Sequence, residues 1–376
     1  MGNQNKRQTS ITSIHFQSVK NLPIPLSYSQ CVLHKHEILV CGGYYQRGCY
    51  SYHTRKNKYK FICEYPSDVV LWGHCVVDLI DNNSKDSNEI TLLSFGGWTK
   101  HTLVMKYVSV WSNSSEINKS QKLKESNNYN KWAPFTDNHN NPIHIGRNGD
   151  HYSGVRAVIG GSNNHLLFIT YLKDNISVFD LNTFQFIKHD TLPDHNYIYL
   201  HCFVSRSKKG QEIRKTNEEK NKNNNEMLLF CWKTGLSIKY DEDNNNFQFR
   251  QLLVCDDIAP FNDYAYVYIN DVILIFGGWN YSNTSKLVHK YSIQENTWTT
   301  FEYISPFPLR NCSGILNKDN THIHIIGGIN DKNMSLPTHI KTKVAIWSDN
   351  SHSVIFILIY LFFVIKYKQI LSQRTN

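Results

Sequence analysis

The residues that come nearest to metal chemistry are two histidine pairs, His34/His36 and His322/His324. Positions two apart on a strand face the same way, so each pair offers two ligands to a site that needs three or four. No third ligand is identifiable for either pair, and ordinary strand histidines are the expectation, with no metal and no cofactor. The carboxylates Glu37 and Asp68 stand without a visible partner for paired acid–base work. A Gly-x-Ser-x-Gly nucleophile elbow and a Gly-x-x-x-x-Gly-Lys phosphate loop are both missing. No catalytic residue is predicted.

The nine cysteines are an odd number and form no Cys-x-x-Cys pair. Cys31, Cys41, Cys75, Cys202, Cys231 and Cys312 sit in apolar runs and read as small buried hydrophobes. The polar start, Met1–Arg7, lacks the apolar stretch of an export signal. Free thiols, a reducing compartment and a cytoplasmic location follow as expectations. The formal charge of +9 comes from scattered Lys and Arg. Scattered charge gives a solvated basic surface, so no specific nucleic-acid partner is expected.

The elements that would position any site are announced by a repeated phrase, an apolar run closed by two glycines. It ends at Gly42-Gly43, Gly96-Gly97, Gly277-Gly278 and Gly327-Gly328. Units of roughly 50 residues rich in β-branched and aromatic residues fit the four-stranded blades of a β-propeller. Two further units, Gly154–His189 and Leu200–Leu252, keep the strand pattern without the glycine pair in its usual place. The sixth unit, from Cys312 to a third strand at Thr338–Trp347, lacks a fourth strand, whereas Ile14–Val19 is a spare strand at the other end of the chain. An open ring would leave unpaired backbone groups, so the N-terminal strand is predicted to complete the last blade. The predicted fold is all-β: a six-bladed propeller over residues 10–348, with a disordered start at 1–9 and a mobile Lys/Glu/Asn-rich insert at 208–225.

A run ending in Gly-Gly, then Tyr, then Trp a few residues later resembles the kelch repeat. Unit five carries it best, with Gly277, Gly278, Tyr291 and Trp298; unit one has Gly42, Gly43, Tyr52 and Tyr59. The chain is similar to divergent, Asn-rich kelch-motif proteins of the sort common in protists. The resemblance implies scaffold roles for Gly42, Gly43, Gly96, Gly97, Gly277, Gly278, Gly327 and Gly328. It also implies recognition by the loops that follow the second strands. There the sequence places Tyr45, Arg47, Trp98, Lys100, His101, Trp279, Tyr281 and Lys332, with Arg310 and Asn311 leading into the sixth unit. Aromatic and basic residues together make contact surfaces, so the expected partner is a protein or peptide of acidic character. The predicted function is a non-catalytic protein-interaction module. The alternative is an oxidase- or hydrolase-like enzyme with its site at the propeller mouth. Copper-radical oxidases share this propeller, but no local signature here links a Tyr, a Cys and two His.

After Trp347 the composition changes. Val354–Ile365 is apolar apart from the Tyr360 hydroxyl, and residues 349–376 form a separate tail. The run is shorter than the ~20 residues of a full span. It is read as a membrane anchor on an intracellular membrane, a docked strand or helix, or an incorrectly read end of the coding sequence.

Overall fold

The computed structural model describes residues 15–79, 89–111, 129–193, 197–206, 226–301, 306 and 308–347. Strand β1 (Phe16–Ser18) comes first. Blade one is β2 (Gln30–His34), β3 (Glu37–Gly43), β4 (Gln46–His53) and β5 (Lys58–Glu64). Blade two is β6 (His74–Leu79), β7 (Glu89–Gly96), β8 (His101–Val108) and β9 (Ala133–Pro134). Blade three is β10 (Arg156–Gly160), β11 (Leu166–Tyr171), β12 (Asn175–Asp180) and β13 (Gln185–Thr191). Blade four is β14 (Cys202–Ser205), β15 (Glu226–Cys231), β16 (Thr234–Asp241) and β17 (Asn246–Gln251). Blade five is β18 (Ala265–Ile269), β19 (Val272–Phe276), β20 (Val288–Ser292) and β21 (Thr297–Phe301). Blade six is β22 (Ser313–Leu316), β23 (His322–Ile326) and β24 (His339–Lys343), with β1 as its fourth strand. The six-bladed all-β propeller expected from the glycine spacing is the observed fold.

Burial explains the sequence pattern of each strand. The second strands are covered on both faces by neighbouring blades, so Glu37–Gly43, Leu166–Tyr171 and Glu226–Cys231 are buried throughout. The outer strand Gln185–Thr191 has one face toward solvent and alternates residue by residue. Each of six apolar clusters fills the wedge between two successive blades. In the wedge between blades four and five, Tyr291 packs on Phe230 with ring centroids 4.8 Å apart, and Trp298 lies 5.0 Å from Phe230.

The ring closes as the spare strand predicts. Phe16, Gln17 and Ser18 pair antiparallel with Thr342, Lys341 and Ile340. Backbone bonds from Val19 N to His339 O (3.1 Å) and from Leu22 N to Pro337 O (2.9 Å) extend the seam. One boundary differs. The third strand of blade six ends at Lys343, and Val344–Trp347 winds into a 3-10 turn. The turn swings Trp347 back into the wedge between blades five and six, where its ring contacts Phe16, Phe276 and Phe301.

The two histidine pairs do not converge on ligands. His36 lies in the turn after β2, and His324 instead shares a hydrogen bond with His339 across the strand pair (2.8 Å). Among the described residues no group of three or more His, Cys, Asp or Glu is placed to hold a metal ion. Glu37 proves structural: buried in blade one, it accepts hydrogen bonds from Ser51 in its own blade and from Tyr107 and Ser109 in blade two. Among the described residues no helix is long and apolar enough to cross a membrane. The expectations for residues 1–9, 208–225 and the run Val354–Ile365 lie outside the described residues.

Candidate functional site at the propeller mouth

Antiparallel strands dictate the faces. Connections from second to third strands, and from fourth strands to the next blade, emerge at one end of the propeller, here called the mouth. Just before each innermost strand stands one residue with left-handed backbone: Tyr28, Gly73, Gly154, Leu200, Asp263 and Asn311, with φ between 49° and 74°. Backbone hydrogen bonds link them from blade to blade. Tyr28 N donates to Asn311 O (2.9 Å), Asn311 N to Asp263 O (2.7 Å), Leu200 N to Gly154 O (3.1 Å) and Gly154 N to Gly73 O (2.8 Å). Glycine takes this conformation freely and Asn or Asp with little penalty, but Tyr28 and Leu200 each bear about 1–2 kcal/mol of strain there. The surrounding ring supplies the constraint that holds them.

The ring is chemically lopsided. Blades five, six and one contribute Asp263, Asn311 and Tyr28, whereas blades two, three and four contribute Gly73, Gly154 and Leu200. Below the polar half lies a cavity of about 200 Å³ on the propeller axis, lined by Tyr28, Ser29, Arg156, Asp263 and Asn311 among others. Asp263 is 4% exposed, and its Oδ1 has no hydrogen-bond partner. Both amide heteroatoms of Asn311, the Ser29 hydroxyl and the Arg310 Nε are also buried without a partner. Burial pushes the Asp263 carboxyl up to about 7, against the opposing pull of Arg156 and Arg310. Burial also raises the Tyr28 hydroxyl far above its usual range, with Asp263 and Tyr199 adding to the effect.

Around this opening runs an aromatic belt. Tyr28 meets Tyr44, and Tyr44 meets both Tyr45 and Trp72. Trp72 stacks on Trp98 at 5.4 Å and 17°. On the other side Trp232 stacks with Tyr281, Tyr281 meets Trp279, and the Arg310 guanidinium lies 4.2 Å from the Trp279 ring centroid. Such rings present large rigid surface at little conformational cost.

The predicted contact residues divide on burial. Tyr45, Trp98 and Tyr281 are 61%, 59% and 68% exposed, and Lys332 is exposed on the loop of blade six. Trp279 and Lys100 are half-buried. Arg47 is half-buried and paired with Glu64 at 3.4 Å, with a second bond to Tyr65 O. Three residues depart from the expectation. His101 is the first residue of β8, paired opposite Gly96, so its ring points into the blade and bonds the Ser94 hydroxyl at 2.8 Å. Arg310 is pinned between the Trp279 ring and Asn333, and Asn311 is a member of the buried ring. Arg156, Asp263, Tyr28, Trp72, Tyr199 and Trp232 were not singled out by the sequence. Only a blade-by-blade alignment on the position before each innermost strand would reveal Tyr28 and Asp263.

The glycine pairs act at the same face. A Cβ on Gly277 would sit 2.1 Å from Leu309 O ahead of blade six, and one on Gly327 would sit 2.5 Å from Leu26 O ahead of blade one. Gly97 N, Gly278 N and Gly328 N each donate a hydrogen bond to the segment leading into the next blade, at Tyr152 O, Leu309 O and Leu26 O. The pairs thus dock one blade on the next.

With this geometry in hand, comparison with known proteins is specific at one blade. Residues 260–302, which span blade five, match the Kelch motif. No curated protein matches the chain in sequence. The solved structure of YjhT is similar at a TM-score of 0.56 and 12% identity, covering 85% of this chain and 95% of that one. At that identity the likeness concerns the fold alone. The chain thus carries a Kelch motif in blade five of a propeller whose other blades match in fold alone.

Proposed function

We propose that this propeller is a non-catalytic protein-interaction module whose mouth-face loops bind a protein or peptide. One observation carries the reading. Among the described residues, the exposed large apolar side chains are Tyr44, Tyr45, Trp98, Tyr197, Leu253, Tyr281 and Met334 on mouth-face connections, and only Phe61 and Ile187 elsewhere. A one-sided apolar surface rimmed by polar groups is the composition of a contact site. Attraction for an acidic partner rests on Lys100 and Lys332, because Arg47 is paired with Glu64 and Arg310 is buried. In this reading the apolar run Val354–Ile365 tethers the cytoplasmic propeller to an intracellular membrane.

The test is affinity capture with the full chain beside a Tyr45→Ala/Trp98→Ala/Tyr281→Ala variant of unchanged melting temperature. The same partner should be retained by the former and lost by the latter. Equal capture by both would sink the reading. A second reading, an enzyme site at the mouth, draws on one observation, the buried Asp263 carboxyl raised to about 7 and so matched to proton transfer near neutrality.

A further inference from the structure

The axial cavity has walls of opposite sign that do not meet. Arg156 rises from blade three, and Asp263 stands ahead of blade five. Asp263 feels the Arg156 charge, yet no ion pair joins them among the described residues. Arg156 spends one Nη1 bond on its neighbour Val155 O (2.9 Å). Asp263 Oδ1, both Asn311 amide heteroatoms and the Ser29 hydroxyl remain unpartnered at less than a tenth exposed. Leaving such groups desolvated is unfavourable for each neutral one and more so for a charge. A ligand that supplies the missing partners recovers that free energy.

The arrangement restricts what the ligand is. A simple anion would gain Arg156 but face the Asp263 carboxylate. A simple cation would gain Asp263 but face Arg156, with Arg310 close behind. The volume of about 200 Å³ lies below the range of drug-sized pockets. We infer that the axial cavity binds a small zwitterion of the amino-acid class, its ammonium on Asp263 and its carboxylate on Arg156. Asn311 and Ser29, each able both to donate and to accept, complete its hydrogen bonds.

The inference does not depend on the protein-recognition reading, because the cavity residues differ from the exposed aromatics. It carries its own proton signature. Burial favours the neutral Asp263 carboxyl, and a bound ammonium requires the ionised one. The other titratable groups about Asp263 are Arg156, Arg310, Tyr28, Tyr199, Tyr281 and Cys231, and burial raises the tyrosines and the thiol above their usual ranges. Neither the raised tyrosines nor the raised thiol changes charge between pH 6 and pH 8. Affinity for a zwitterion then rises about tenfold over that interval, whereas a bare carboxylate ligand binds better as pH falls.

The experiment is isothermal titration calorimetry of the full chain with glycine, alanine, β-alanine and γ-aminobutyrate at pH 6 and pH 8, with acetate and ethylamine as single-charge probes. The expected result is binding of at least one amino acid, about tenfold tighter at pH 8, with neither single-charge probe matching it. Asp263→Asn should weaken binding at least tenfold and remove the pH step; Arg156→Gln should weaken it at least tenfold. Where a variant fails to melt cooperatively, Ser29→Ala serves instead, with an expected loss of about threefold. No heat from any amino acid at millimolar concentration, acetate binding as tightly as the amino acids, or full binding by the folded variants each overturns the inference.

Discussion

Blades five, six, one and two differ from blades three and four in how they meet their neighbours at the mouth. In the first group the second strand ends in Gly-Gly, and the backbone itself touches the next blade, as where Gly278 N bonds Leu309 O at 3.0 Å. In the second group the strand turns back without a glycine pair. Leu172–Asp174 separates β11 from β12, and Trp232 and Lys233 alone separate β15 from β16. Side chains make the junction there: the Tyr264 hydroxyl reaches back to Phe230 O at 2.7 Å. The repeated glycines are therefore a device for backbone contact between blades. A blade that docks through a side chain has no need of them.

The two groups should respond unequally to acid, and this is the largest effect expected. Among the described residues His74, His101, His289, His324 and His339 are buried in glycine-docked blades, and the pre-strand residue His201 is buried in the other group. Burial lowers all six, His74 and His324 to about 3 and His101 and His289 to about 4. A folded value below the unfolded one near 6.5 favours the neutral ring. The stability is complete above pH 6.5 and is lost as pH falls toward 3. By pH 4, His74 and His324 together forfeit on the order of several kcal/mol. Thermal melts from pH 7 to pH 4 should show a steep fall that His74→Gln and His324→Gln lessen, and a flat profile would break the comparison. Next in size, Gly277→Val places a β-branched residue at φ 71° against Leu309 O and should cost about 3 kcal/mol or more. Lys233→Ala, at the matching turn of blade four, should change stability by less than about 0.5 kcal/mol. Denaturant titration of both variants decides this.

Asp263 runs against the histidines. Its raised carboxyl destabilises the folded chain at pH 8, and the penalty fades as pH falls through about 7 toward the unfolded value near 4. Asp263→Asn should raise stability at pH 8 by about 1–3 kcal/mol and leave it little changed at pH 4.5. A loss at pH 8 would show that the carboxylate is structural. The smallest effect sharpens the contrast from the other side. Lys173 sits at φ 75° in the tight turn of blade three, so Lys173→Gly should stabilise by about 0.5 kcal/mol, read from the melting temperature.

The fold was legible because its rules recur. Glycine appears wherever backbone must meet backbone, and the unpaired strand at Phe16–Ser18 had one place to go. The mouth was not legible, because its six equivalent positions hold Tyr, Gly, Gly, Leu, Asp and Asn: conformation repeats there and residue type does not. His101 shows a finer failure. The loop after Gly97 ends at Lys100, and a shift of one residue moves a side chain from the rim to the interior of the blade. Trp98 and Tyr281 were readable because exposed aromatics just after a glycine pair have no core to fill.

The three-residue seam between Phe16–Ser18 and Ile340–Thr342 has a kinetic consequence. Its two sides are roughly 320 positions apart, so the last blade must wait for nearly the whole chain before it can finish, and the closure entropy falls at the end of folding. Until then β24 presents a bare edge to any passing strand. Lys341 and Lys343 along that edge are the kind of charge that discourages a foreign partner while the proper one arrives.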